Sequence, residues 1–151
     1  MPTSRTTHRI EVMHGINLDM LGRRDPRHYG SLTLPALQEQ VTGYAAGLDL
    51  EVSFFHSNSE KDYCEHLHGL DDRADAVLLN PGAWTHYAWA IHDALEIAAL
   101  PAVEVHLSDV GSREPWRRVS VLSDLVLATV SGQGVEGYRD GLARLRASLS
   151  A

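Results

Sequence analysis

Ala76-Val-Leu-Leu79, then Asn80-Pro-Gly82, the stretch from Thr85 to Ala99, Pro101 and Ala102-Val-Glu-Val105 together decide the fold. The two short apolar runs suit strands buried on both faces. Between them lies a run long enough for a helix, with Asn-Pro-Gly as a turn before it. A strand, a crossover helix and a second strand make a βαβ unit, whose strands are parallel. Working outward, the same alternation recurs. Further strands are expected at Arg9–Met13, Leu50–Phe55 and Leu125–Val130, with helices near Thr33–Gly47, Lys61–Leu70 and Val135–Leu149. Pro35 fits a first helical turn, and Gly47 and Gly69 fit helix ends.

Five strands separated by helices predict an α/β, doubly wound parallel sheet with helices on both faces. The flavodoxin-like order 2-1-3-4-5 is the expected one. In such sheets ligands bind beyond the carboxyl ends of the strands. The tips there read His14-Gly-Ile-Asn17, Ser57-Asn-Ser-Glu60, Asn80 to His86, His106-Leu-Ser-Asp-Val110 and Ser131-Gly-Gln-Gly134. The first tip runs on to Gly30, through Arg23, Arg24, Asp25-Pro26 and Tyr29. Such connections mostly span about 2–6 residues, so this one reads as a lid or binding loop.

The chain has 151 residues, enough for one domain spanning 1–151, with 1–8 expected to be a flexible extension. A net charge of −7 disfavours nucleic-acid and anionic-membrane partners, but it allows a small anion held by local arginines. One cysteine, Cys64, excludes an internal disulfide and a cysteine zinc site. No leader-like segment or membrane-length apolar run is present, so a cytoplasmic protein is expected. Lys61 is the only lysine, and it falls in a predicted helix away from the tips.

Alternation puts Glu104 and His106 on one face of a central strand, where a carboxylate needs a partner. The histidine is that partner, either as a structural pair or as an oriented proton donor. Arg113 to Arg118 form an arginine cluster, either a solvated helix start or a carboxylate clamp. Asn80 and Thr85 could equally be caps of the following helix. Gly132 to Gly137 matches G-x-G-x-x-G, but it opens the last helix with no chain left for the acidic partner of a dinucleotide site. His66 and His68 do not share a helical face, and no coherent metal-ligand set is visible.

Several separated motifs follow one another as in type II 3-dehydroquinate dehydratases. They are Asn17, Leu21-Gly22-Arg23-Arg24-Asp25-Pro26, Tyr29-Gly30, Asn80-Pro81-Gly82, Thr85-His86, Val103-Glu104-Val105-His106, Arg113-Glu114 through Arg117, Gln133-Gly134 and Gly137-Tyr138. The chain resembles that family over nearly its whole length. The resemblance implies a cofactor-free lyase that dehydrates 3-dehydroquinate to 3-dehydroshikimate through an enolate. It makes Tyr29 the general base, Arg24 its electrostatic activator and Asn17 the holder of an enolate-stabilising water. His106, backed by Glu104, would be the acid. Asn80, His86, Arg117 and backbone donors at Leu107 and Ser108 would bind the substrate's hydroxyls and carboxylate. Arg113 would order the loop, and Asp93 would reach a neighbouring subunit's site. The implied assembly is a dodecamer of four trimers.

The chemistry fits those roles. A free phenol has a pKa near 10, so ionising it at pH 7 costs about 4 kcal/mol, which adjacent guanidiniums reduce. The chain departs from the family at His14 and Ile16, where Asn-Gly-Pro-Asn is usual, at Tyr87-Ala88, at Asp109, and at Gly111 and Val119. Those departures leave two alternatives: a paralogue acting on aminodehydroquinate, and a catalytically silent binding subunit. An FMN module is disfavoured, because the first tip lacks a Ser/Thr- and Gly-rich phosphate loop.

Overall fold

The computed structural model describes residues 7–150. Five parallel strands form one sheet in the order β2-β1-β3-β4-β5, as expected. They are β1 (His8–His14), β2 (Leu50–His56), β3 (Ala76–Asn80), β4 (Ala102–His106) and β5 (Thr129–Ser131). The helices are α1 (Pro26–Tyr29), α2 (Leu34–Gly47), α3 (Glu60–His68), α4 (Trp89–Ala98) and α5 (Glu136–Leu149). His8, included in the expected extension over 1–8, instead opens β1; residues 1–6 lie outside the described residues.

Two of the long helices begin where the sequence supplies a cap, whereas α4 and α5 start after Ala88 and Val135 with no side-chain cap. Thr33 accepts from Ala36 N at the start of α2, and Ser59 accepts from Asp62 N at the start of α3. The two sheet faces then bury separate cores. Ile10, Val12, Leu78 and Val103 pack against Leu37 and Val41 of α2 and Leu142 and Leu145 of α5. Met13, Val77 and Leu79 pack against Tyr63 and Leu67 of α3 and Ile91 and Leu95 of α4. Burying side chains of this size stabilises by roughly 1.5–3 kcal/mol each.

Two elements differ from expectation. The fifth strand covers only Thr129–Ser131, because the apolar residues before it serve the core from a looped segment. Leu122 is fully buried there, with Leu125 and Val126 packed beside it. Apolarity alone does not separate such a segment from a strand. The fourth helix starts at Trp89 rather than Thr85; Gly82–His86 is a separate 3₁₀ turn. The long first connection is also not structureless. It holds a 3₁₀ turn at Leu18–Met20 and the single turn α1, which Asp25 caps by accepting from Arg27 N.

Contacts between loops fix the carboxyl end of the sheet. Gly15 N donates to Asn80 O at 2.8 Å. A Cβ on Gly15 would lie 2.4 Å from the Pro81 carbonyl oxygen. Gly82, at φ +67°, passes equally close to the Ile16 carbonyl. The first and third tips are therefore locked together by backbone packing that only glycine permits. Below them, buried Glu11 of β1 takes a hydrogen bond from Ser53 and pairs with His66 at 2.5 Å. His66 stacks on Phe55 with ring centroids 3.8 Å apart. This gives His66 a structural partner, which its spacing did not reveal.

Candidate active site

A cleft of about 380 Å³, open solvent at its mouth included, lies over the carboxyl ends of β1, β3 and β4. Tyr29 stands on one side. Its place follows from the local sequence: Asp25 caps, Pro26 begins the turn, and Gly30 at φ +69° ends it. Tyr29 Oη accepts from Arg24 Nη2 at 2.7 Å and from Arg113 Nη1 at 2.6 Å. The Arg24 guanidinium also lies 3.7 Å over the phenol ring centroid. Burial lowers the Arg24 pKa from the arginine value; Tyr29 opposes that shift, while Arg113 and Arg117 add to it. Arg113 makes a second bond, to Ser108 Oγ at 3.2 Å.

His106 lines the cleft as well. Its Nε2 meets Glu104 Oε2, two residues back on the same face of β4. Glu104 is fully buried and accepts from Thr85 Oγ1 at 2.5 Å and from Ser120 Oγ at 2.6 Å. Burial pushes this carboxyl up, but the bonds from His106, Ser120 and Thr85 outweigh it and hold it below the usual value. Glu104 is therefore a carboxylate behind the imidazole.

His86 ends the 3₁₀ turn, with its Nδ1 2.7 Å from the Val119 carbonyl. A carbonyl only accepts, so Nδ1 carries the hydrogen and Nε2 of the neutral ring is an acceptor. Burial lowers the His86 pKa, against the pull of that carbonyl, and favours the neutral ring. Its plane lies 19° from that of His106, with centroids 6.2 Å apart. Asn80, 3 % exposed at the end of β3, takes Gly82 N on Oδ1 at 3.3 Å and donates Nδ2 to Tyr138 Oη at 3.0 Å. Arg117 lines the cleft beside Trp116 and donates Nε to Glu114 Oε2 at 2.5 Å. Three guanidiniums and no carboxylate line the cleft among the described residues. In a chain of net charge −7, that is a local site for an anion.

A sequence model of one family, Dehydroquinase class II, matches residues 8–146. The chain belongs to the class II dehydroquinase family. A 3-dehydroquinate dehydratase of Leptothrix cholodnii is 46% identical over 134 residues, covering 88% of this chain and 90% of the relative. The crystal structure of a type II dehydroquinase from Propionibacterium acnes superposes with a TM-score of 0.89 at 38% identity, covering 95% of this chain and 99% of the other. A type II dehydroquinase from Butyrivibrio crossotus gives 0.88 at 33% identity, covering 92% and 97%.

Within this dehydroquinase fold, nine of the expected residues meet at the cleft: Tyr29, Arg24 and Arg113, then Asn80, His86 and His106, then Leu107, Ser108 and Arg117. Glu104 lies behind His106. Two do not join them. Asn17 is exposed, left-handed at φ 69°, with its backbone N–H donating to Asn58 Oδ1 at 2.8 Å; its neighbour Leu18 lines the cleft instead. Asp93 projects from α4 into solvent beside His92. Arg113, expected as a loop-ordering group, bonds Tyr29 directly. Asp109, a departure from the family, does not line the cleft; it caps the next turn by accepting from Gly111 N at 3.2 Å and lines a separate groove. Thr85 is no helix cap but a donor to Glu104. Ser120 escaped the sequence reading, and Tyr138 entered it only as part of a family motif with no site role; the available signal was that a buried carboxylate and a buried amide must find partners.

Proposed function

We propose that this chain dehydrates 3-dehydroquinate to 3-dehydroshikimate, the activity named for its curated relatives. The observation that carries this reading is the convergence of two guanidiniums on the Tyr29 oxygen, across from a histidine backed by a carboxylate. Two cationic donors hold the Tyr29 oxygen in charge-assisted hydrogen bonds. Tyr29 removes the proton beside the ring ketone. The C–H electron pair forms the enolate, which collapses to the carbon–carbon double bond as the β-hydroxyl leaves. His106 supplies the proton that turns that hydroxyl into water. With Nε2 held by Glu104, Nδ1 is the nitrogen left for this task.

Arg117 binds the substrate carboxylate, joined by backbone donors at Leu107 and Ser108. His86 and Asn80 take hydroxyls. Asn17 holds the enolate-side water, which requires its exposed side chain to turn inward when the loop closes. No electrons change hands overall, so no redox cofactor is needed. The protein acts as a homo-oligomer, a dodecamer of four trimers, in which Asp93 reaches a neighbour's cleft. Exposed Tyr87 and Trp89, 60% and 62% accessible near the start of α4, support an interface there. No helix among the described residues is long and apolar enough to cross a membrane.

The test is the ultraviolet absorbance of the conjugated product when purified enzyme meets 3-dehydroquinate. Turnover is expected. Its absence, or turnover of aminodehydroquinate alone, overturns the reading.

A further inference from the structure

Beneath the cleft lies a buried polar chain that the reaction itself does not use. His14 ends β1 and is fully buried. Its Nε2 lies 2.9 Å from Tyr138 Oη, and the same hydroxyl receives Asn80 Nδ2 at 3.0 Å. The direction of each bond can be assigned. Gly82 N–H donates to Asn80 Oδ1, which fixes the amide with its nitrogen toward Tyr138. That nitrogen donates, so the hydroxyl must accept there. Its single hydrogen then goes to the other neighbour, His14 Nε2. His14 is therefore the acceptor that ends the chain, and its hydrogen sits on Nδ1, which has no hydrogen-bond partner among the described residues.

We propose that His14 is a positioning residue for substrate binding: through Tyr138 it holds the Asn80 amide with one Nδ2 hydrogen left over for an oxygen acceptor on the ligand. The proposal rests on the reading of the cleft as a dehydroquinate site. An amide turned the other way would offer the ligand a carbonyl where a donor is needed. The Gly82 bond alone, at 3.3 Å, is a weak restraint on that orientation. The relay from His14 adds the second. It works only while the imidazole is neutral, since a protonated Nε2 would aim a second donor at the hydroxyl. Burial, with His56 nearby, lowers the His14 pKa to about 3, so the ring stays neutral at working pH. Neither His14 nor Tyr138 lines the cleft, so both act on the ligand only through Asn80.

The experiment compares His14→Leu, Tyr138→Phe and the double variant in the dehydroquinate assay, with each assembly checked by light scattering. Each single change is expected to raise KM roughly three- to ten-fold, the factor carried by one neutral hydrogen bond, with a smaller change in kcat. The double variant should be no worse than the more severe single, because both break one relay. An unchanged KM in folded His14→Leu, or factors that multiply, overturns the proposal. Histidine ¹⁵N shifts of the wild type give a readout that survives if the variants fail to fold. The neutral Nδ1–H form at His14 is expected, and the Nε2–H form would refute the relay. That measurement also separates the two ideas. A wild type without dehydroquinate turnover refutes the proposed function, whereas the tautomer still judges the relay.

Discussion

Replacing Arg113 by methionine removes one of the two guanidiniums on Tyr29 while keeping much of the side chain's bulk. The structure makes the two arginines near-equal donors, at 2.6 Å for Arg113 and 2.7 Å for Arg24. A hydrogen bond to a charged group is worth about 1.5–3 kcal/mol. Part-burial places this one toward the lower end, about 1.5–2 kcal/mol, because solvent screens part of the charge. Each 1.36 kcal/mol is tenfold in rate, so kcat/KM for dehydroquinate should fall about 10- to 30-fold. Arg24→Met should lose a comparable factor, with the added loss of its contact over the ring. Arg113→Lys should restore only part, since an ammonium is a point charge without the guanidinium's fork. The assay is the initial rate of enone formation at low substrate. A loss under threefold for Arg113→Met, beside a large loss for Arg24→Met, would refute direct action on the phenol.

Glu104→Gln keeps the shape but offers one acceptor oxygen where two now serve Thr85, Ser120 and His106. It should cost about 2–4 kcal/mol of stability, read by thermal melting, and an unchanged midpoint would contradict it. The fold should weaken in acid: with the folded His14 pKa lowered to about 3 from 6.5, the unfolded chain binds the extra proton across that window. Stability therefore falls as pH drops below about 6.5, by about 3 kcal/mol at pH 4.5, and His14→Asn should flatten that slope in melts across the window. The lowered Glu104 value acts in the same direction at lower pH. Gly15→Ala puts a Cβ 2.4 Å from the Pro81 carbonyl oxygen and should destabilise by about 1–3 kcal/mol while displacing Asn80; full activity and stability would show that the two tips can part.

Much of this was legible in the sequence. Apolar runs spaced by helical stretches gave β1 to β4 and the sheet order, because parallel strands buried on both faces carry a near-continuous apolar signal. Strand alternation placed Glu104 and His106 on one face, and the structure joins them. Other features had no local signal. Leu125 to Ala128 are as apolar as a strand, but they precede β5, and Leu125 and Val126 pack on the core from a loop. Ser120 reaches Glu104 across 16 positions, and Tyr138 reaches His14 across 124, distances that no periodicity encodes. Arg113's contact with Tyr29, 84 residues away, depends on two loops meeting above the sheet. The strand-end rule located those loops without saying which atoms would touch. His14 stood out in the sequence only as a departure from its family; its burial against Tyr138 gives that departure a physical setting.

The central claim is that the Tyr29 oxygen takes the proton that starts the elimination. Turnover of 3-dehydroquinate by Tyr29→Phe, beside the wild type at saturating substrate, tests it most directly. The change removes one oxygen and leaves the ring in place. The expected result is a kcat at least 100-fold below wild type, in line with the usual worth of a general base, with the folded assembly intact. A folded Tyr29→Phe enzyme that turns over at the wild-type rate would contradict it.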